Sequence, residues 1–153
     1  LRDSLLSVSG KLNSKLYGEP VPITPNTEGQ IIVGIDTTDS AGRQTGKFVS
    51  LEGEEFRRSL YITVRRSRQV DMFATFDAPG MTEPNCEVRP VTTVSPQSLL
   101  LMNNVGIREF AQYFAMRLRE EKELPEEQIK RAWQLVYLRE PSTEDVSEAL
   151  EFL

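Results

Sequence analysis

Between Ser95 and Leu153 apolar residues return every three or four positions, in sets such as Phe110, Phe114 and Leu118, then Ile129, Trp133 and Val136, then Val146, Leu150 and Leu153. Only an α-helix brings that spacing onto one face, so the last third of the chain is committed to packed helices. Local signals divide it. Ser95 stands before Pro96 as a cap with proline at the first helical position, and leads into Leu99, Leu100, Leu101 and Met102. Asn103, Asn104 and Gly106 interrupt the pattern. Pro125 followed by Glu126 and Glu127 opens a helix with acid at its positive dipole end, and Ser142 with Asp145 is a relative of the capping box. These breaks predict about four helices over 96–153.

Upstream the period changes. Leu1, Leu5, Val8, Leu12 and Leu16 predict an amphipathic helix within 1–18, with Arg2, Asp3, Lys11 and Lys15 facing solvent. Ser9 and Gly10 are positioned to end its first part, and Gly18 ends the rest. Glu19-Pro20-Val21-Pro22 imposes extended backbone. Residues 31–35 and 47–51 read as a hairpin around a polar loop, Asp36 to Gly46, and Leu60, Ile62 and Val64 alternate with polar neighbours as a third strand. The expectation is a small antiparallel three-stranded sheet within 30–66. Over 70–95, Asp77-Ala78-Pro79-Gly80, Glu83-Pro84 and Arg89-Pro90 predict a long ordered loop, with Pro79-Gly80 suited to a type II turn and a helical turn at Met72 to Phe76. The fold class is α+β, mostly α. A single domain over 1–153 is expected, and Leu1 already sits in a helical pattern, so the segment reads as a module of a larger chain.

Composition excludes more chemistry than it suggests. The 153 residues, 39% hydrophobic, suffice for a core without a metal or disulfide staple. No histidine is present, which removes Ser-His-Asp and Cys-His catalysis, histidine-containing zinc sites and the Cys-x-x-Cys-His attachment of c-type haem. A net charge of -5 argues against nucleic acid as a partner, and no apolar run reaches the ~20 residues of a membrane span. No phosphate loop, dinucleotide fingerprint or calcium loop occurs.

The candidate polar sites lie near the centre. Arg57, Arg58, Arg65, Arg66 and Arg68 form the densest basic group, with Arg65, Arg66 and Arg68 as candidate ligands for sulfate, phosphate or carboxylate groups of an anionic polymer. On a strand these arginines divide between two faces, and Tyr61 alone is thin provision for base stacking. Asp77 admits two readings: a catalytic carboxylate paired with Glu83, Glu87 or a nearby arginine in a carbohydrate- or sulfated-polymer-active enzyme, or a turn-closing and salt-bridging carboxylate, which its place before Ala78-Pro79-Gly80 favours. Cys86 is the only cysteine and, without histidine, reads as an inert thiol or as one half of a bridge to a cysteine outside the segment. Met102, Phe110, Phe114, Met116, Trp133 and Tyr137 sit at helical spacing and are assigned to the core.

Several runs together resemble a known family: Arg57-Arg58-Ser59-Leu60-Tyr61, Arg65-Arg66-Ser67, Phe76-Asp77-Ala78-Pro79, Asn85-Cys86-Glu87-Val88-Arg89 and Thr93-Val94-Ser95-Pro96-Gln97-Ser98-Leu99, flanked by Ser9-Gly10-Lys11-Leu12 and Arg139-Glu140-Pro141-Ser142. The chain resembles, over essentially its whole length, the planctomycete-type C-terminal domain of unknown function that closes large exported proteins with a cytochrome c-like front end. The resemblance implies the periplasm or cell surface, other domains of the same parent as partners, and c-type haem elsewhere in the parent with no cofactor in this segment. It implies no reaction. The expectation is a non-catalytic structural or interaction module, with no catalytic and no metal-ligating residues, in which Arg57, Arg58, Asp77, Cys86 and Arg89 hold the central loop.

Overall fold

The computed structural model describes residues 1–65, 67–79 and 92–153. Six α-helices and four short strands occur among them: α1 (Arg2–Val8), β1 (Ile23–Pro25), β2 (Ile31–Val33), β3 (Ile35–Thr38), β4 (Gln44–Val49), α2 (Asp71–Thr75), α3 (Ser95–Asn103), α4 (Val105–Glu121), α5 (Pro125–Tyr137) and α6 (Thr143–Phe152). The helix-rich α+β class is therefore observed. The chain divides into two compact units, one formed by residues 1–12 with 105–153 and one by residues 13–104.

In the helical unit α1 packs on α4, α4 on α5 and α5 on α6. Helix α1 is shorter than its apolar stripe suggested, because the chain turns at Ser9 and Gly10. Gly10 adopts φ 75°, its N–H donates to Ser7 O, and the Lys11 N–H donates to Leu6 O, the paired bonds of a Schellman ending. Arg117 of α4 completes the cap: its Nη1 donates to the Ser7 and Val8 carbonyls at 3.1 and 2.8 Å. Ending there changes the buried face. Arg2, Leu6 and Ser9 are buried while Leu1 and Leu16 are exposed, so the Leu1-Leu5-Val8-Leu12-Leu16 face is corrected, and Arg2 is not on the solvent side. Burial holds the Arg2 guanidinium below its ordinary pKa, with Asp3 opposing that shift.

Between α4 and α5, Glu121 accepts from Arg117 Nε at 2.7 Å and Arg131 Nε at 2.6 Å. Pro125 opens α5 as expected, and Ser142 caps α6 in a reciprocal box: the Ser142 N–H donates to Asp145 Oδ2 at 2.9 Å, and the Asp145 N–H to Ser142 Oγ at 3.1 Å. Ile129 is the buried residue of α5, and Phe110, Phe114, Leu118 and Trp133 are half-buried. Met102, Met116 and Tyr137 are exposed, against their assignment to the core, and Val136, Leu150 and Leu153 of the apolar stripes are exposed as well. Helical spacing places side chains on a face, and the opposing surface has to be present for that face to be covered.

The second unit holds a compact apolar cluster of Val21, Ile23, Ile31, Ile62 and Val70, flanked by Leu51, Tyr61, Met72 and Phe73. Each such side chain contributes roughly 2 kcal/mol by leaving water. Its sheet differs from the expected three strands: β1 pairs with β2 and β3 with β4 as separate antiparallel ribbons. Gly34, at φ 127°, divides the 31–35 run, so Ile31–Val33 pairs back to the proline-flanked Ile23–Pro25. The expected polar loop is largely strand, with a short tip where Asp39 Oδ1 accepts from the Ala41 and Arg43 N–H groups. The anticipated third strand is a 3-10 turn at Ser59–Tyr61 followed by one bridge, Val21 to Ile62. The turn breaks the alternation, which leaves Ile62 5% exposed but Leu60 77%. Helix α2 falls on the helical turn expected within Met72 to Phe76, and α3 begins one residue earlier than its proline signal, with Val94 as cap and Ser95 inside.

Candidate functional site

Arg57 is 1% exposed and lies where residues 17–19 and 54–61 of the second unit meet. Its Nη2 donates to Tyr17 O at 2.6 Å, and its Nη1 to Glu19 O and to Glu54 Oε2, both at 3.0 Å. The guanidinium also lies 4.1 Å from the centre of the Tyr61 ring. A planar, always charged group with forked donors meets two carbonyls and a carboxylate at once, which a lysine ammonium cannot do in one plane. Glu54 accepts additionally from Lys15 Nζ at 2.6 Å, and the Lys15 hydrogen bond, reinforced by the charges of Lys15 and Arg57, holds its carboxyl below the ordinary 4.5. Asn13 fastens the same stretch, its N–H donating to Phe56 O and its Nδ2 to Gly53 O, both at 3.0 Å.

Asp77 is the centre of a second cluster. It adopts φ 56°, a left-handed conformation that Asp tolerates better than most residues. Its Oδ2 accepts from the Thr92 N–H at 2.7 Å, and both carboxylate oxygens lie 2.9 Å from the Thr92 hydroxyl. Gln97 of α3 secures Thr92 in turn: its Nε2 donates to Thr92 O and to Thr75 O at the end of α2, both at 3.1 Å, while its Oε1 accepts from the Val94 N–H at 3.3 Å. The two ends of the segment 77–92 are thus clasped by one carboxylate and one amide.

Arg58 and Arg65 are exposed, and Arg68 Nη2 donates to Gly29 O at 3.2 Å. With Arg57 buried, an anion site spanning Arg57 to Arg68 loses its first member. Arg66, Cys86 and Arg89 lie outside the described residues, as do Glu83, Glu87 and Gly80 of the expected Pro79-Gly80 turn. Among the described residues, no group of three Cys, Asp or Glu side chains converges to hold a metal ion, and no helix is long and apolar enough to cross a membrane.

Sequence reasoning missed Glu54, Asn13, Thr92 and Gln97 as members of these clusters. Glu54 carried one local signal, its place three residues before Arg57 at 3-10 spacing. The carbonyls of Tyr17 and Glu19 carry no residue signature at all.

Taken together these features define a helix-rich α+β domain whose singled-out Arg57 and Asp77 are held by groups of the same chain. The chain belongs to the PSD1 family, a protein of unknown function (DUF1553), whose family model matches residues 1–153. No curated protein and no solved structure matches it.

Proposed function

We propose that this domain is a non-catalytic structural and interaction module of a larger exported protein whose c-type haem is carried by another domain. The export and haem context rests on the resemblance of the motifs around Arg57, Asp77 and Ser95. The observation that carries the non-catalytic reading is the engagement of Asp77, the carboxylate on which an enzyme reading depends. Its two oxygens take the Thr92 N–H and hydroxyl. A general acid or base must reach its substrate's proton, and this carboxylate is instead held against its own loop, accepting from Thr92.

The test uses the intact parent protein, screened on neutral and sulfated polysaccharides as wild type and as Asp77→Asn. No turnover, or turnover unchanged by the substitution, is expected. Activity abolished by Asp77→Asn with an unchanged circular dichroism spectrum overturns the reading. Binding to a sulfated polymer at low salt that disappears in an Arg65→Ala, Arg68→Ala double variant replaces it with an anion-binding function.

A further inference from the structure

Helices α5 and α6 leave between them an open groove of about 390 Å³, lined by Ile129, Trp133, Ala149 and Phe152 together with Asp145 and Glu148. Trp133 on its α5 wall is half-buried and Phe152 on its α6 wall is 91% exposed. Side chains of this size standing in water beside an unfilled apolar groove are what a helix-in-groove contact buries.

The charges around the groove select its occupant. Helix α6 carries Glu144, Asp145, Glu148 and Glu151 and no Lys or Arg. Asp145 is engaged by the Ser142 N–H and by Arg139. Among the described residues Glu144, Glu148 and Glu151 form no ion pair, whereas the α5 cations Lys130 and Arg131 are paired with Glu126 and Glu121. The groove therefore presents apolar walls with Glu148 as its carboxylate outside an ion pair, and Glu144 and Glu151 add negative charge elsewhere on α6. A second copy of this chain, at net charge -5, would set its own carboxylates against them, and an anionic membrane is repelled in the same way.

We propose that the α5–α6 groove is the docking site for a cationic amphipathic helix, a protein segment with Leu-like anchors at helical spacing flanked by Lys or Arg. The apolar anchors enter between Ile129, Trp133 and Phe152, and the basic flanks meet Glu148 and the outer acids of α6. This inference deepens the interaction-module reading and rests on it. The two fail separately: lost peptide binding leaves the Asp77→Asn turnover assay unaffected, and a discovered turnover leaves the peptide titration unaffected.

Trp133 is the only tryptophan in the chain and lines the groove, so its emission reads the site directly. The full chain is titrated with a synthetic tryptophan-free Leu/Lys helical peptide, with a Leu/Glu peptide of the same apolar pattern, and with vesicles of equal parts phosphatidylcholine and phosphatidylglycerol. A saturable blue shift is expected with Leu/Lys alone, weakened about tenfold in Glu148→Lys, the equivalent of about 1.4 kcal/mol, and weakened again by salt. Glu148 is exposed, so this variant is expected to keep the native circular dichroism spectrum, and Phe152→Ser is expected to weaken the shift from the apolar side. Equal response to both peptides, indifference to Glu148→Lys, no shift, a shift with vesicles, or concentration-dependent dimerisation without peptide each overturns the proposal.

Discussion

At the scale of single residues, Arg57 decides whether residues 17–19 stay tied to residues 54–57 of the second unit. Replacing it with Lys keeps the charge but gives up the fork that reaches Tyr17 O, Glu19 O and Glu54 together, and each buried acceptor left unmet costs about 1–3 kcal/mol. Arg57→Lys is therefore expected to lower unfolding stability by on the order of 2 kcal/mol in a urea titration, and Arg57→Ala by more. At Asp77 the same logic is milder. Asp77→Ala removes the acceptor for Thr92 and places a β-carbon without a polar partner at φ 56°, so a loss of about 1–2 kcal/mol in thermal unfolding is expected. Both residues stood out in the sequence, Arg57 by the density of arginines around it and Asp77 by the turn that follows it. Their partners were not, because Thr92 lies 15 residues away and backbone carbonyls look alike in every sequence.

At the scale of elements, two helix ends make opposite predictions. Gly10 closes α1 at φ 75°, and a Cβ there would stand 3.2 Å from Arg117 Cδ, so Gly10→Ala combines left-handed strain with a displaced capping arginine. A loss of about 1–2 kcal/mol is expected, with hydrogen exchange of the Lys11 and Leu12 amides accelerating first. Helix α5 ends instead on Leu138, at φ 56° with its N–H on Gln134 O and its side chain 89% exposed. Leu138→Gly removes the strain without removing packing and is expected to raise the melting temperature, by about 0.5–1 kcal/mol of stability. Helices were the most legible elements, since period, proline and caps act within a turn or two of chain, as at Pro125 and Ser142. Strands were less so. The 60–64 run has a strand's alternation but begins in a 3-10 turn that ends at Tyr61, because a strand exists only where a neighbour supplies hydrogen bonds, and among the described residues Ile62 bridges only to Val21.

At the scale of the whole molecule, both units share an acid sensitivity. Lys15 and Arg57 lower the Glu54 pKa in one unit; in the other, hydrogen bonds from Arg117 and then Arg131 lower that of Glu121, and the Ser142 N–H and hydroxyl lower that of Asp145. A carboxyl with a depressed folded pKa binds its proton more readily when unfolded. Its stabilisation is complete above the unfolded value, 4.5 for Glu and 3.8 for Asp, and is lost as pH falls through the lower folded value. Melting temperature is expected to hold steady above pH 5.5 or so and to fall below about pH 4.5, and a Glu54→Gln, Glu121→Gln double variant should show a flatter fall. The sequence by itself determined the helix-rich α+β class, the helix starts at Pro125 and Ser142 and the absence of imidazole chemistry, since each follows from residue type and spacing over a few positions. Only the tertiary structure decided that Arg57 is buried, that Asp77 clasps Thr92, that the strands form two ribbons and that the α5–α6 groove stands open. Those outcomes depend on which distant surfaces meet, and a pattern along one stretch of chain does not specify what covers it.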